Sequence, residues 1–541
     1  MVPHRTEIRR LDGQMGTARK SIIGRGKCGA PAYGGDSLEA AQPERIHIIA
    51  PRGKMLSNAS TRFGAYFIAL LVNLLATPYI IRQLGVESYG IVGVVNTMIS
   101  YLGIATSSLT ATVGRNATFA VERGEFEEAS KEISTATFGL LRIFAIALLP
   151  VCSVSLFVER LIVIPQEVVP AVRVFFVLAV LSFIVTTLSG PLGAGMFVRN
   201  RLDLDSGCSL LRTLFFVALI LVLFNVIGRN LIVYGLAVFA SSAFLAVLYL
   251  VIHRRLLPGV RISRHSYDRS ILRGILSLGG WVSVTQIGAL LFLQTNLIVA
   301  NRVLGTKEAG QLAAIGIIPL HLRVLGGLVS SLFGPTQTAL AAKSDWQALA
   351  KYLLRSVRLV TLFFALLIGV FCGSAADVLR LWLGREFAPL APVAVVLTAY
   401  LVLSLGSSPT QTAALALGRV KVPALVMVIM GIGNVSLSVY VAHGMGLMGI
   451  AIVLCVTLFL YNAVFVPWYI SRACQMSLRS YWAVQCTGVL AFLAISLVSY
   501  GTHLYLRPDS LAGLVVSLSV STTVGALLLL PLGLRTIRRD L

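Results

Sequence analysis

Arg323 falls about midway along the apolar run 310–333, far from either edge of any bilayer that run could cross. It is too central for its guanidinium to snorkel easily to water. Inserting such a residue costs at least ~2.5 kcal/mol, so it normally faces a wet cavity or a partner. The fork of guanidinium donors matches the oxygens of a phosphate or carboxylate, which makes anionic cargo the chemistry it suits. The competing role is structural: capping carbonyls freed near Pro319, or pairing with polar groups across helices. Helical spacing extends the polar lining. Gly316, Arg323 and Ser330 recur every seven residues and so share one face. Asn96, Ser100, Gly103 and Ser107 make a similar stripe in the run 90–113. Arg62, Tyr66 and Asn73 share a face of the run 61–82, with Arg62 near its start. Gln294 and Asn301 do the same in the run 279–302. The candidate cavity residues are therefore Arg323, Arg62, Tyr66, Asn73, Asn96, Ser100 and Gln294. For each neutral one, a hydrogen bond between helices, worth ~0.6 kcal/mol on average, is the rival role. His321, two residues from Arg323 and on another face, reads as a packing histidine.

Absences narrow the chemistry. None of the 22 Asp and Glu residues lies deep in an apolar run; the nearest, Asp377, sits at the end of the ninth. A site for a cationic drug exchanged against a proton would want an embedded carboxylate. There is no GxSxG, Walker or HExxH motif, and no GxGxxG in a strand–helix context, so an enzyme is not expected. The seven cysteines form no CxxC pair and sit mostly in apolar runs. They read as small buried apolar residues, neither a disulfide frame nor a metal site. No cofactor is expected.

The elements that must position these side chains are membrane helices. Hydrophobic residues make up 57% of the 541 and charged ones 12%, and mean hydropathy is +0.85. A water-facing surface needs more polar residues than that. Composition excludes a soluble enzyme, a secreted disulfide scaffold and a disordered chain. Apolar stretches recur near the ~20 residues a helix needs to span hydrocarbon. They fall at 61–82, 90–113, 135–157, 172–197, 209–228, 231–252, 279–302, 310–333, 356–378, 390–416, 421–442, 446–470, 483–504 and 511–533. The fold class is all-α and polytopic, with about 14 transmembrane helices. Gly190-Pro191 and Ser408-Pro409 interrupt the fourth and tenth, as broken helices that line a cavity do.

The net charge is +23. Most Lys and Arg fall on alternate loops, which orients the chain with both termini in the cytoplasm. The stretch 1–57 holds ten Lys or Arg and no apolar core. It is expected to be a disordered, basic cytoplasmic tail able to touch anionic membrane lipids, and translation from Met55 would remove most of it. No RNA-binding motif or zinc-finger spacing accompanies this charge, so no nucleic-acid partner is expected.

The sequence repeats itself at about 220 residues. Arg82-Gln83-Leu84-Gly85 through Tyr89-Gly90 returns as Arg302-Val303-Leu304-Gly305 through Ala309-Gly310. Glu125-Phe126 returns as Asp345-Trp346, Pro191 and Arg201 as Pro409 and Arg419, and Tyr234-Gly235 as Met448-Gly449. Six spans separate the copies, an even number, so the repeats run parallel. The division expected is a six-helix bundle over 58–253, a basic linker over 254–278, a second six-helix bundle over 279–470, and two additional helices within 471–541. Two like bundles around a midplane site are a transporter architecture.

The segment Pro78-Tyr79-Ile80-Ile81-Arg82-Gln83-Leu84-Gly85 with Tyr89-Gly90, and Arg123-Gly124-Glu125-Phe126 after the second span, resembles the start of the Wzx-type polysaccharide flippases. These belong to the multidrug/oligosaccharidyl-lipid/polysaccharide (MOP) exporter superfamily. The resemblance covers roughly residues 58–470. It implies a V-shaped twelve-helix core in the bacterial inner membrane that moves an undecaprenyl-linked oligosaccharide, of the pyrophosphate type, to the outer leaflet. It leaves coupling to H+ or Na+ open. A lipid II flippase or a multidrug exporter of the same fold is the alternative it carries.

Overall fold

The computed structural model describes residues 52–538. The tail expected to be disordered, with Cys28, lies almost wholly outside the described residues. The described residues from Met55 onward cluster as one compact unit. Among the described residues every element is helical.

The helices run as follows. First come α1 (Arg52–Leu84), α2 (Val86–Ser100), α3 (Leu102–Glu122), α4 (Phe126–Leu156) and the one-turn α5 (Val158–Leu161). Next are α6 (Val169–Ser189), α7 (Ala194–Val198), α8 (Leu202–Val226) and α9 (Leu231–Leu256). After a linker come α10 (Arg269–Leu293), α11 (Thr295–Val303), α12 (Thr306–Ile315), α13 (Ile317–Ser331), α14 (Gly334–Ala342) and α15 (Trp346–Trp382). The tenth expected span is broken into α16 (Ala391–Ala399), α17 (Leu401–Gly406) and α18 (Ser408–Ala416). Then follow α19 (Lys421–Phe459), a π-helical stretch Leu460–Phe465, α20 (Val466–Cys474), α21 (Leu478–Leu506) and α22 (Leu511–Arg538).

Eleven helical stretches among the described residues are long and apolar enough to cross a membrane. One of them, Lys421–Cys474, holds two of the expected spans; its helix breaks at Gly446, where φ is 57° and ψ −140°. The expected spans 90–113 and 135–157 coincide with α2–α3 and α4, which fall outside the eleven. The molecule's surface is apolar in the way lipid requires. Phe67, Leu71 and Leu75 of α1 and Leu490, Leu493 and Leu497 of α21 are large, exposed and in helical register. In water such a surface would be an aggregation patch.

The internal repeat is visible in the backbone. Left-handed φ occurs at Gly85 and Gly305, at Gly124 and Ser344, at Asn200 and Gly418, and at Gly228 and Gly446. Each pair is separated by the offset of about 220 seen in the sequence. At Gly85 and Gly305 the turn opens α2 and α12, and glycine takes a positive φ there without the Cβ penalty other residues would meet.

The basic linker differs from a free joint. Helix α9 runs to Leu256 and α10 starts at Arg269, leaving 257–268 between them. That segment is hydrogen-bonded along α4. Ser130 Oγ accepts from Arg261 N at 3.1 Å, Ser134 Oγ from Ser263 N at 3.1 Å, and Thr135 Oγ1 from Asp268 N at 3.0 Å. The hydroxyls of α4 thus satisfy backbone donors that would otherwise be left unpaired.

Candidate functional site

Two adjoining cavities meet at Arg323. The first holds about 340 Å³ and lies between α2, the α10–α11 junction and α12–α13. Its polar wall carries Tyr89, Asn96, Ser100, Gln294, Asn296 and Arg323. The second holds about 600 Å³ and lies between α13, α17–α18, α19 and the π-helical stretch. Its polar wall carries Arg323, Ser330, Ser404, Ser408, Gln411, Thr412 and Asn462. No Asp or Glu lines either one.

Arg323 projects from α13 and is half-buried. One Nη donates to the hydroxyl of Tyr400, and its Cζ stands 5.9 Å from the Tyr400 ring centroid. Tyr400 occupies the break between α16 and α17. None of the ion pairs among the described residues includes Arg323. Its charge therefore meets a neutral phenol and the space of two cavities. The face read from the sequence runs along both: Gly316 lines the first cavity, Arg323 both, and Ser330 the second.

Four of the seven candidate residues come together around the first cavity: Arg323, Asn96, Ser100 and Gln294. Ser100 Oγ donates to the Asn96 carbonyl at 2.8 Å, so its side chain stays on its own helix. Gln294 caps the break between α10 and α11, and its Oε1 takes a hydrogen bond from Thr97 at 3.4 Å. The other three lie elsewhere. Tyr66 donates to the His321 carbonyl at 3.1 Å and approaches its Nδ1 at 3.2 Å. Two helical residues turn the chain by about 200°, so α1 docks on the face of α13 away from Arg323. Arg62 is exposed and outside both linings. Asn73 is half-buried and outside them too; its carbonyl accepts from Thr77 Oγ1 at 2.8 Å. Asn301 holds a loop: its amide exchanges two hydrogen bonds with the Val163 backbone, at 2.8 and 3.1 Å.

Sequence reasoning passed over several residues. Tyr89 and Asn296 line the first cavity, and Gln411, Asn462 and Ser404 the second. Asn296 carries a helix-helix chain: its Oδ1 accepts from Asn434 at 3.4 Å, and Asn434 Oδ1 accepts from Thr457 at 3.0 Å. Ser408-Pro409 had marked the break after α17, but nothing local to it names Asn462 as its neighbour.

Beside the first cavity α2 packs closely along α12, while α3 and α13 share no comparable contact. The close crossing rests on two glycines. A Cβ on Gly90 would strike the backbone of Thr306 and Gly310, and one on Gly310 the backbone of Val86. The two clashes are reciprocal under the repeat, since 86 and 90 correspond to 306 and 310. The same end of the molecule is held by Asn301 on Val163, by Arg302 donating to the Arg160 carbonyl at 3.0 Å, and by Trp382 Nε1 donating to the Leu74 carbonyl at 2.6 Å.

No family model matches the chain. Two curated proteins place it all the same. An uncharacterized membrane protein of Bacillus subtilis, EpsK, is 34% identical over 422 residues, 77% of this chain and 83% of that protein. A putative O-antigen transporter of Shigella flexneri is 22% identical over 436 residues, 78% of this chain and 99% of that one. Among solved structures, the lipid II flippase MurJ in an inward closed conformation superposes with a TM-score of 0.63 at 12% identity, covering 88% of this chain and 99% of that chain. An inward-facing multidrug resistance MATE transporter of the MOP superfamily gives 0.60 at 17% identity, covering 77% and 99%. The solved neighbours carry the fold and the B. subtilis relative the kinship, and both agree with the sequence motifs: the chain is a multi-pass membrane protein with the fold of the MurJ and MATE structures, and it belongs to the same family as EpsK.

Proposed function

We propose that this protein moves an undecaprenyl-linked oligosaccharide, joined through pyrophosphate, across the bacterial inner membrane by alternating access. Arg323 meets the phosphate. The observation that carries this is a half-buried guanidinium with no carboxylate partner among the described residues, set in the shared wall of two cavities. An anion entering there would neutralise a charge already held at depth, by hydrogen bonds that are short and strong when both groups are ionised. The similarity to a putative O-antigen transporter, and the fold shared with a lipid II flippase, support a lipid-linked sugar as the cargo class. A cationic drug finds no carboxylate in either lining, so the multidrug alternative is disfavoured.

The bundles over 58–253 and 279–470 are the bodies that move, with the linker and the two last helices as attachments. Both termini lie in the cytoplasm, so the end where α2 and α12 start faces outward. Closure at Gly90 and Gly310 then excludes the outer side while cargo enters from within.

The test is Arg323→Ala and Arg323→Lys in a strain lacking the chromosomal gene. Surface polysaccharide and accumulated lipid-linked repeat units are measured together, at matched protein level in the membrane. We expect the Ala variant to abolish export and accumulate the lipid-linked unit. The Lys variant should restore it only in part, because an ammonium lacks the planar fork. Normal export by the Ala variant would remove Arg323 from the mechanism.

A further inference from the structure

We propose that the second cavity is a subsite for neutral sugar units, read by an amide ladder formed by Gln411 and Asn462, while Arg323 at its edge holds the diphosphate. This rests on the transport function proposed above and deepens it to the class of sugar.

Arg323 is the one charged side chain in that lining, and about 600 Å³ is a ligand-sized volume. Gln411 Nε2 donates to Asn462 Oδ1 at 2.6 Å, and Asn462 Nδ2 donates to Ser404 Oγ at 2.7 Å. Each amide keeps a further N–H, and Gln411 keeps its carbonyl. A sugar hydroxyl both gives and accepts a hydrogen bond, and an uncharged amide answers both roles. A second anionic group, such as a uronic acid, would be desolvated there with no further cation to meet it, which is costly.

A nearby glutamine shows what a purely structural amide looks like. Gln485 is fully buried; its Nε2 donates to Ser407 and Tyr481 at 2.9 Å each, and its Oε1 accepts from Thr361 at 3.3 Å. Its groups are used up within the protein. Gln411 and Asn462 are half-buried, line the cavity, and keep groups to spare.

The backbone gives a second, independent observation. Asn462 sits in the π-helical stretch Leu460–Phe465, and Gln411 follows the break at Ser408-Pro409. Irregular backbone at membrane depth is tolerated where it lines a cavity, and π turns gather at functional sites. Between these two walls, a Cβ placed on Gly327 would meet no atom within 4 Å. Space has been left where a small ring could stand.

The experiment uses the full chain in detergent and three probes: farnesyl diphosphate, the same diphosphate carrying N-acetylglucosamine, and the same carrying glucuronic acid. Affinities are read by native mass spectrometry. The neutral glycosyl probe should bind about tenfold tighter than the bare diphosphate, the yield of one or two net hydrogen bonds. The glucuronosyl probe should gain nothing. Gln411→Ala and Asn462→Leu should bring the ratio of neutral glycosyl to bare diphosphate close to one. Gly327→Leu, whose Cβ would meet no atom within 4 Å and whose side chain would take up room in the cavity, should do the same and decides the matter if the amide variants do not fold. A ratio that survives Gly327→Leu overturns the proposal, as does tighter binding of the glucuronosyl probe than of the neutral one. Bare diphosphate binding indifferent to Arg323→Gln would instead bring down the transport reading, and the sugar subsite with it.

Discussion

Tyr400 is the residue that decides how the central guanidinium is presented. It stands in the break between α16 and α17 and accepts from Arg323, so one Nη is fixed while the rest of the fork is turned to the cavities. A hydrogen bond to a charged group contributes about 1.5–3 kcal/mol. Removing the phenol oxygen leaves the charge in place and loosens its aim. We expect Tyr400→Phe to slow export about fivefold at unchanged protein level, the equivalent of about 1 kcal/mol in the barrier. Measuring polysaccharide appearance after induction tests this; a rate equal to wild type would show that the phenol only fills space. At this scale the sequence was partly legible. Arg323 announced itself because an arginine amid apolar residues costs too much to be accidental, and the seven-residue spacing to Gly316 and Ser330 gave the face. Tyr66 and Asn73 obeyed the same periodicity and yet lie outside the cavities, because periodicity finds a face without saying which neighbour covers it. Gln411 and Asn462 are 51 residues apart on different elements and meet only through packing. The π-helical turn that aims Asn462 has no local residue signature.

Helix ends and crossings carry the next set of consequences. Asp268 caps α10: its Oδ1 accepts from Ser270 N and from Ser270 Oγ, both at 2.7 Å. These bonds, the side-chain one foremost, hold its carboxyl below the usual carboxylate range. A carboxyl whose folded pKa is depressed stabilises the fold above its unfolded pKa, and that stability is lost as pH falls through the folded value. Asp268→Ala should therefore lower the thermal midpoint in detergent at pH 7, and the difference from wild type should shrink at acid pH below the ordinary carboxylate range. An equal deficit at both would mean that the charge is irrelevant to the cap. The crossing of α2 and α12 makes a sharper prediction. Gly310→Val must push the backbone of Val86 away, so the halves cannot close at that end. In a cysteine-free background with Ser100→Cys in the first cavity, a membrane-impermeant maleimide added outside should label the Gly310→Val protein and leave the parent unlabelled. Equal labelling would separate this crossing from access. The elements themselves were legible because their signals are local: apolar runs of the right length, and left-handed turns at fixed offsets. The docking of 257–268 on α4 was not, since the basic residues that draw attention to the linker do not make those bonds; its backbone does.

At the level of the whole molecule, that docking ties the passage between the two repeats to the first of them. Replacing Ser130, Ser134 and Thr135 together with Ala removes three acceptors and leaves three linker N–H groups to water. Trypsin should then cut at Arg261 or Arg264 several-fold faster in detergent than in the parent, read by gel densitometry. Unchanged cleavage would show that the linker is held by packing instead. Parallel duplication was legible in the sequence because the residues beside the turns recur: Glu125-Phe126 is answered by Asp345-Trp346 and Arg201 by Arg419, and the turns just before them, at Gly124, Ser344, Asn200 and Gly418, all take a positive φ. Which end of the duplicated pair is shut was not legible, since that depends on how two helices 220 residues apart lie against each other.

The reciprocal approach at Gly90 and Gly310 has one more outcome. What each glycine admits is the main chain of its opposite number, and main chain is the same whatever residue carries it. Val86 and Thr306 differ in character, one apolar and one hydroxylated, yet each presents main-chain atoms to the glycine opposite. The chain can thus let its two copies diverge in what they recognise while both keep the same clasp.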